Sequence, residues 1–276
     1  MKDAMNPNLI HTRIWHEEPE PDNAFATRAA HCHGYDVYGA MLGHAGWADM
    51  VYLLLRGEAP GAAQARLLDT LAVALANPGP RDASVHAAMC GGVAGSTAAA
   101  TLMAALGVGA GGHTGAREVL LAMQLWQACA TDLAQWQARL AAPPDTAVSI
   151  WPRQEHAPGF DPHGRSTATI VRQALTTLAA LENDAADGAL AQLQDDGASG
   201  PLAWLAQHLA PVEAAAGAPL AMTGVAAAAL HALGFSPAQG EMLFLLLRLP
   251  GAAAHALEQG EAGFRQFPFY TVAVQP

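Results

Sequence analysis

Apolar residues recur at helical spacing along most of the chain. The run WADMVYLLLR from Trp47 to Arg56 is amphipathic and stops at Gly57. Pro60 opens a second helix that runs to Ala76 and ends at NPGPRD (77–82). From Ala83 to Leu106 the chain is almost wholly small and apolar. Such a segment is too smooth for a solvent-facing helix, so it is expected to lie centrally or against a second subunit. Further helices are predicted from Ala116 to about Cys129, from Thr131 to Leu140, and from about Thr167 onward. Breaks in the last run are expected near Asp195–Gly200, Gly217–Pro219, Gly234–Pro237 and Pro250–Gly251. The prolines and glycines of AAPPDTAVSIWPRQEHAPGFDPHGRST (141–167) predict a loop. The N-terminal arm to about Asn23, with its HEEPEPD, reads as extended or loosely ordered. No strand series emerges, and the predicted fold class is all-α.

One glycine-rich stretch tests that reading. GVGAGG (107–112) satisfies the dinucleotide-binding pattern G-x-G-x-x-G. That fingerprint must follow a strand and open a helix. Here it follows the helical run ATLMAAL, and Asp132, at the distance of a ribose-binding acid, falls within a helical pattern. No nucleotide redox cofactor is therefore expected.

Charge narrows the chemistry further. The 276 residues carry a net charge of −11, which argues against a nucleic-acid partner. The hydrophobic share is 52% and the charged share 13%, so most helices must be covered by other helices or by a partner. Lys2 is the only lysine, which excludes an internal Schiff-base or P-loop lysine; arginines must hold any anion. Cys32, Cys90 and Cys129 are odd in number and far apart, so a reducing cytoplasm is expected rather than a disulfide framework. No signal-like N-terminus and no membrane span are read from the sequence. His31-Cys32-His33 invites a metal reading with His11 or His16. Without HExxH or CxxC, no metal is expected and the cluster reads as lining a core or cleft. No G-x-S-x-G elbow occurs. Trp126, Trp136 and Trp204 read as packing residues.

Six stretches stand in the order of a known family. They are HGYDVYG (33–39), MVYLLLRGEAP (50–60), GGHTGARE (111–118), PGFDPHGR (158–165), AMTGVAAAALHALG (221–234) and LRLPGAAAHALEQ (247–259). Over roughly residues 28–259 the chain resembles the citrate synthases and citryl-CoA lyases. The resemblance implies a large helical domain built from 1–115 and 226–276, with a smaller helical domain, 116–225, inserted. It also implies a homodimer through central helices, a coenzyme A thioester as substrate, and a polycarboxylate partner. The implied chemistry is the making or breaking of a carbon–carbon bond between a CoA thioester and a 2-oxo acid, as a transferase or a lyase. Such chemistry needs a carboxylate base, an enol-stabilising histidine, a keto-polarising histidine and arginines for the carboxylates.

Carried over residue by residue, His113 takes the enol-stabilising place. His163 takes the keto-polarising place if one residue is inserted; without the insertion Pro162 stands there. Arg248 matches the substrate-binding arginine, with an ion pair, for instance to Glu258, as the alternative. Arg165 lies close enough in sequence to meet a carboxylate, and Gly159 and Phe160 fall on the stretch expected at the cofactor. The departures are as informative. The catalytic aspartate's place is held by Thr223 and its asparagine's by Ala221. The family's histidine near 78–79 is Pro78 or Gly79, and the arginine of the first motif is His33. A threonine hydroxyl is no useful base near neutral pH, and Asp161 is the nearest carboxylate by motif. Two expectations follow. One is a citryl-CoA lyase or citrate synthase-type enzyme with rearranged acid–base groups, Thr223 among them. The other is a catalytically impaired relative that binds a CoA ester, a polycarboxylate or a partner protein without turnover.

Overall fold

Helix-forming runs end where the chain loses its donors or gains a left-handed turn, and that punctuation sets the architecture. The computed structural model describes residues 11–141, 156–185, 199–267 and 273. The first residues of the N-terminal arm, most of the loop after Ala141 and most of the expected break before Gly200 lie outside them. Backbone contacts gather into two compact units divided between Arg66 and Leu67.

The first unit holds the correction to the strand-free expectation. β1 (Trp15–Glu20) pairs antiparallel with β2 (Asn23–Cys32), and β2 pairs with the short β3 (Tyr35–Asp36). Glu20 faces Asn23 across the two-residue Pro21-Asp22 turn. Pro19 sits at a register shift, where a missing donor does least harm. The strands carry few apolar residues at alternate positions, so no hydrophobic face betrayed them in the sequence. After a π-turn at Val37–Met41 comes α1 (Trp47–Arg56), which ends at Gly57 with φ 81°. Its inner face is Ala48, Tyr52 and Leu53, and the Tyr52 hydroxyl accepts from Gln64 Nε2 at 2.9 Å. Cys32 is buried; His33 has φ 48° and a buried Nε2 without a hydrogen-bond partner among the described residues. Gln64 stands near the start of α2 (Ala62–Leu75).

The regular elements of the second unit are helices, among the described residues. The small-residue segment forms two helices, α3 (Ala83–Val93) and α4 (Ala98–Gly109), N-capped by Asp82 and Thr97. Then come α5 (Ala116–Cys129), α6 (Leu133–Ala141), α7 (Thr169–Ala185), α8 (Pro201–Gln207), α9 (Leu209–Ala216), α10 (Met222–Ala232) and α11 (Pro237–Ala262). Asp132 caps α6, accepting from the amides of Ala134 and Gln135. The central α11 packs on α3, α4 and α5, with Val85, Ala88, Ala105, Ala252 and Ala256 as a core of small side chains. Trp126 meets Trp136 edge-on at 4.8 Å and Trp204 at 5.6 Å, joining α5, α6 and α8 as their packing role requires. His231 stacks on Trp126, and burial pushes its imidazole below the ordinary histidine range.

The break expected at Pro250–Gly251 does not occur: α11 runs through it. Proline removes one amide from the helical ladder. The next amide, Gly251 N–H, donates to the Ala76 carbonyl at 2.7 Å. A Cβ at Gly251 would lie 2.5 Å from that oxygen and 2.7 Å from the Asn77 Cα. The 76–77 backbone thus lies directly on the helix where a local rule alone would end it. Gly251→Ala is expected to lower unfolding stability by about 1–3 kcal/mol, because backbone rather than a flexible side chain must yield. Urea denaturation measures this, and an unchanged midpoint would refute the close approach.

Candidate active site

The glycines of 107–115 serve backbone contact. Helix α4 takes up Gly107 and Gly109, so the stretch follows a helix, as expected. A Cβ at Gly115 would lie 2.7 Å from the Gly109 carbonyl oxygen. The chain therefore doubles back tightly before Gly115 caps α5, with Thr114 in the left-handed region at φ 57°. His113 stands exposed at the head of this turn.

Glu118, three residues after the cap, lies buried beneath the turn and was given no role in the sequence. Its Oε2 accepts from Thr114 N–H at 2.6 Å. Its Oε1 accepts from Gly159 N–H at 2.9 Å and from the Thr223 hydroxyl at 3.1 Å. His156 Nε2 lies 3.5 Å from the same oxygen. One carboxylate thus joins the His113 turn, the 156–160 loop and the start of α10. That loop is seated further by Gly159, whose φ is 90° and whose missing side chain leaves room for Gly224; a Cβ there would lie 2.9 Å from the Gly224 Cα. Asp161 N–H donates to the Pro219 carbonyl and Ala221 N–H to the Gly159 carbonyl, forming a bridge between Phe160 and Leu220.

These elements enclose a cavity of about 380 Å³ whose lining lies wholly within the second unit. His113, His163, Thr223 and Arg248 all line it, from four separate stretches of sequence. Phe160 lines it and is buried, whereas Gly159 stands behind the wall with its amide committed to Glu118. Arg165 is exposed and is not part of the lining. Asp161 accepts from His163 N–H at 2.9 Å, and both line the cavity.

Arg248 is buried, and its partner is Asp82 rather than Glu258. Its other terminal nitrogen donates to the Thr114 carbonyl at 3.1 Å, and its guanidinium lies over the Phe244 ring. Glu258 instead sits 3.5 Å from His255. Arg248 is therefore beside His113's turn, as a shared site requires. Asp82, Glu118 and Asp161 are the acids of the lining, Arg248 its arginine, and His113, His156 and His163 its histidines. Each of those acids accepts from a protein donor, which leaves the histidines and the arginine edge to meet an anion. Among the described residues no group of three His, Cys, Asp or Glu side chains is placed to hold a metal ion.

His156 and Glu118 are the residues that motif reading missed. Glu118 carried a signal: glycine at a helix cap with glutamate three residues on is the spacing at which the acid reaches back to free amides. His156 carried none, standing upstream of PGFDPHGR in an irregular segment. His156 stacks on His113 with ring centres 5.2 Å apart, and its Nδ1 is buried without a hydrogen-bond partner among the described residues.

No family model matches the sequence, and no curated protein matches it. Solved structures do match. Citryl-CoA lyase from Hydrogenobacter thermophilus aligns with a TM-score of 0.68 and 16% identity, over 97% of this chain and 96% of that one. ATP citrate lyase from Methanothrix soehngenii, in complex with citrate and coenzyme A, aligns with a TM-score of 0.67 and 16% identity over 99% of this chain. A mutant ATP citrate lyase from Methanosaeta concilii, in complex with (3S)-citryl-CoA, aligns with a TM-score of 0.69 and 16% identity, also over 99% of this chain. The chain spans 43% of each of these two longer proteins. The fold is thus all-helical in class and citrate synthase/citryl-CoA lyase-like, as the motifs implied.

Glu118→Ala is expected to cost about 3 kcal/mol of stability, since it strands two amides and a hydroxyl inside the protein. Glu118→Gln, which keeps one acceptor, should cost less. Chemical denaturation of both variants checks the order, and equal losses would deny Glu118 its joining role.

Proposed function

We propose that the chain is a citryl-CoA lyase-like enzyme, cleaving a citrate-like CoA thioester into a shorter acyl-CoA and a 2-oxo acid, or running the reverse. The observation that carries this reading is the convergence of His113, His163, Thr223 and Arg248 on one cavity of about 380 Å³, in a chain with this fold. In the cleavage direction His163 takes the proton of the substrate hydroxyl. The carbon–carbon bond breaks, the hydroxyl oxygen becomes the keto group, and the bonding pair passes into a thioester enolate. His113 donates to the enolate oxygen, where negative charge develops. Arg248 presents the edge of its guanidinium to a substrate carboxylate. Cleavage is the favoured direction because the solved proteins of this fold named above are lyases.

Closure of an inserted domain at 116–225 over the ligands belongs to the same proposal, as does a homodimer. The dimer has its own support. Helices α4 and α11 pack on one another and leave Met103, Val108, Met242, Leu246 and Leu257 exposed. Burial of these side chains by a second copy would remove them from water. Met103→Asp is expected to shift the sedimentation coefficient from dimer to monomer; a wild-type protein that sediments as a monomer would remove this part of the proposal.

A second reading has specific support: residue 223 is a threonine bonded to Glu118, and Arg248 is already paired with Asp82. Under it the cavity binds a CoA ester or polycarboxylate without turnover. Citryl-CoA as sole substrate separates the two. The enzyme reading expects oxaloacetate and an acyl-CoA product, with kcat reduced about 10²- to 10⁴-fold in His113→Ala. Thiol release without oxaloacetate is thioester hydrolysis and counts against it. Neither product, with citryl-CoA still bound in calorimetry, establishes the second reading. Thr223→Asp should then confer turnover on a merely impaired site, and should lower the rate of an enzyme that uses the threonine.

A further inference from the structure

The cleavage proposed above leaves one proton transfer unassigned. After the carbon–carbon bond breaks, the enolate must be protonated at carbon, and residue 223 offers a hydroxyl rather than a carboxylic acid. We infer that His156 carries this proton, as a third histidine acting on the substrate; the inference rests on the lyase reading and deepens it at the same site.

The His156 side chain lines the cavity yet is only 5% exposed. Its Nε2 lies 3.5 Å from Glu118 Oε1, the oxygen that also receives the Thr223 hydroxyl. The acid–base group therefore stands one carboxylate away from the position that lacks one. A buried carboxylate against one ring nitrogen orients the imidazole and leaves the other nitrogen for the reaction. That other nitrogen, Nδ1, is buried and has no hydrogen-bond partner among the described residues. Buried polar atoms are nearly always bonded, and an exception beside a ligand cavity points to a bond made with the ligand. The ring stacks on His113 at 5.2 Å with 29° between planes. The proton donor is thus a neighbour of the group that holds the enolate oxygen, as protonation of the adjacent carbon demands.

The steps balance. His156 begins as an imidazolium paired with Glu118. His163 takes the hydroxyl proton, the carbon–carbon bond breaks, and the enolate forms with its oxygen bonded to His113. The enolate carbon's electron pair then takes the Nδ1 proton, giving the acyl-CoA methyl group and neutral His156. His163 releases its proton to water and His156 recovers one from water, so no net charge is left behind. In synthesis, neutral Nδ1 removes the methyl proton.

The test uses the full chain, citryl-CoA and the appearance of oxaloacetate, with His156→Ala and the bulkier His156→Gln. Both should lose about 10²- to 10⁴-fold in kcat with KM within a few-fold of wild type. Added imidazole should restore part of the rate to His156→Ala alone, which a packing role would not predict. Wild-type rates in both variants would overturn the inference and leave the lyase reading standing. Slow variants with no rescue and a KM raised in parallel would also overturn it, in favour of a positioning role. A wild-type chain that forms no oxaloacetate removes the lyase reading, and this inference with it.

Discussion

Everything near the cavity depends on one buried negative charge. Removing a carboxylate from water costs several kcal/mol unless donors replace the lost hydration. Glu118 receives them from three places that are far apart in sequence: the amide of Thr114, the amide of Gly159, and the hydroxyl of Thr223. Because the charge tolerates no vacancy, those three segments must arrive together. This is why an exposed turn and an irregular loop can hold histidines in register without regular secondary structure of their own. The left-handed Thr114 is part of the same arrangement, since its strained backbone is what aims the amide downward.

The same carboxylate gives Thr223 a meaning beyond loss. An aspartate at that position would set a second negative charge against Glu118, and two carboxylates at hydrogen-bonding distance do not both ionise readily. A hydroxyl satisfies Glu118 without repulsion. The acid–base inventory has accordingly moved toward imidazole, with His113, His156 and His163 facing one space. Arg248 follows a parallel logic: buried against Phe244, it is balanced by Asp82 whether or not a ligand is present.

Much of this was legible in the sequence. The bounds of α5 are those predicted from Ala116 and Cys129, because a glycine cap precedes an unbroken apolar period. Arg248 and His113 were recognisable because their motifs carry several specific letters each. What escaped notice depended on contacts distant in sequence. The hairpin at 15–32 lacks alternating apolar residues and announces itself only by its Pro21-Asp22 turn. Pro250 reads as a stop until the Ala76 carbonyl supplies a partner from elsewhere in the fold. Asp82 was seen only as part of a turn, and its pairing with Arg248 spans the unit. His156 has no local pattern at all; its importance lies in what surrounds it.

The bond from Gly251 to Ala76 also has a mechanical side. Once that amide is bound to Ala76, α11 cannot slide or rotate about its axis without breaking a bond outside itself. Arg248, one turn earlier on the same helix, therefore keeps a fixed azimuth relative to the segment that carries Asp82. The opposite wall, residues 156–163, is joined to the rest by a few hydrogen bonds and a glycine contact rather than by a helix. The cavity is built as a vice with one fixed jaw: its charge pair belongs to the anvil, and two of its three histidines ride on the adjustable side.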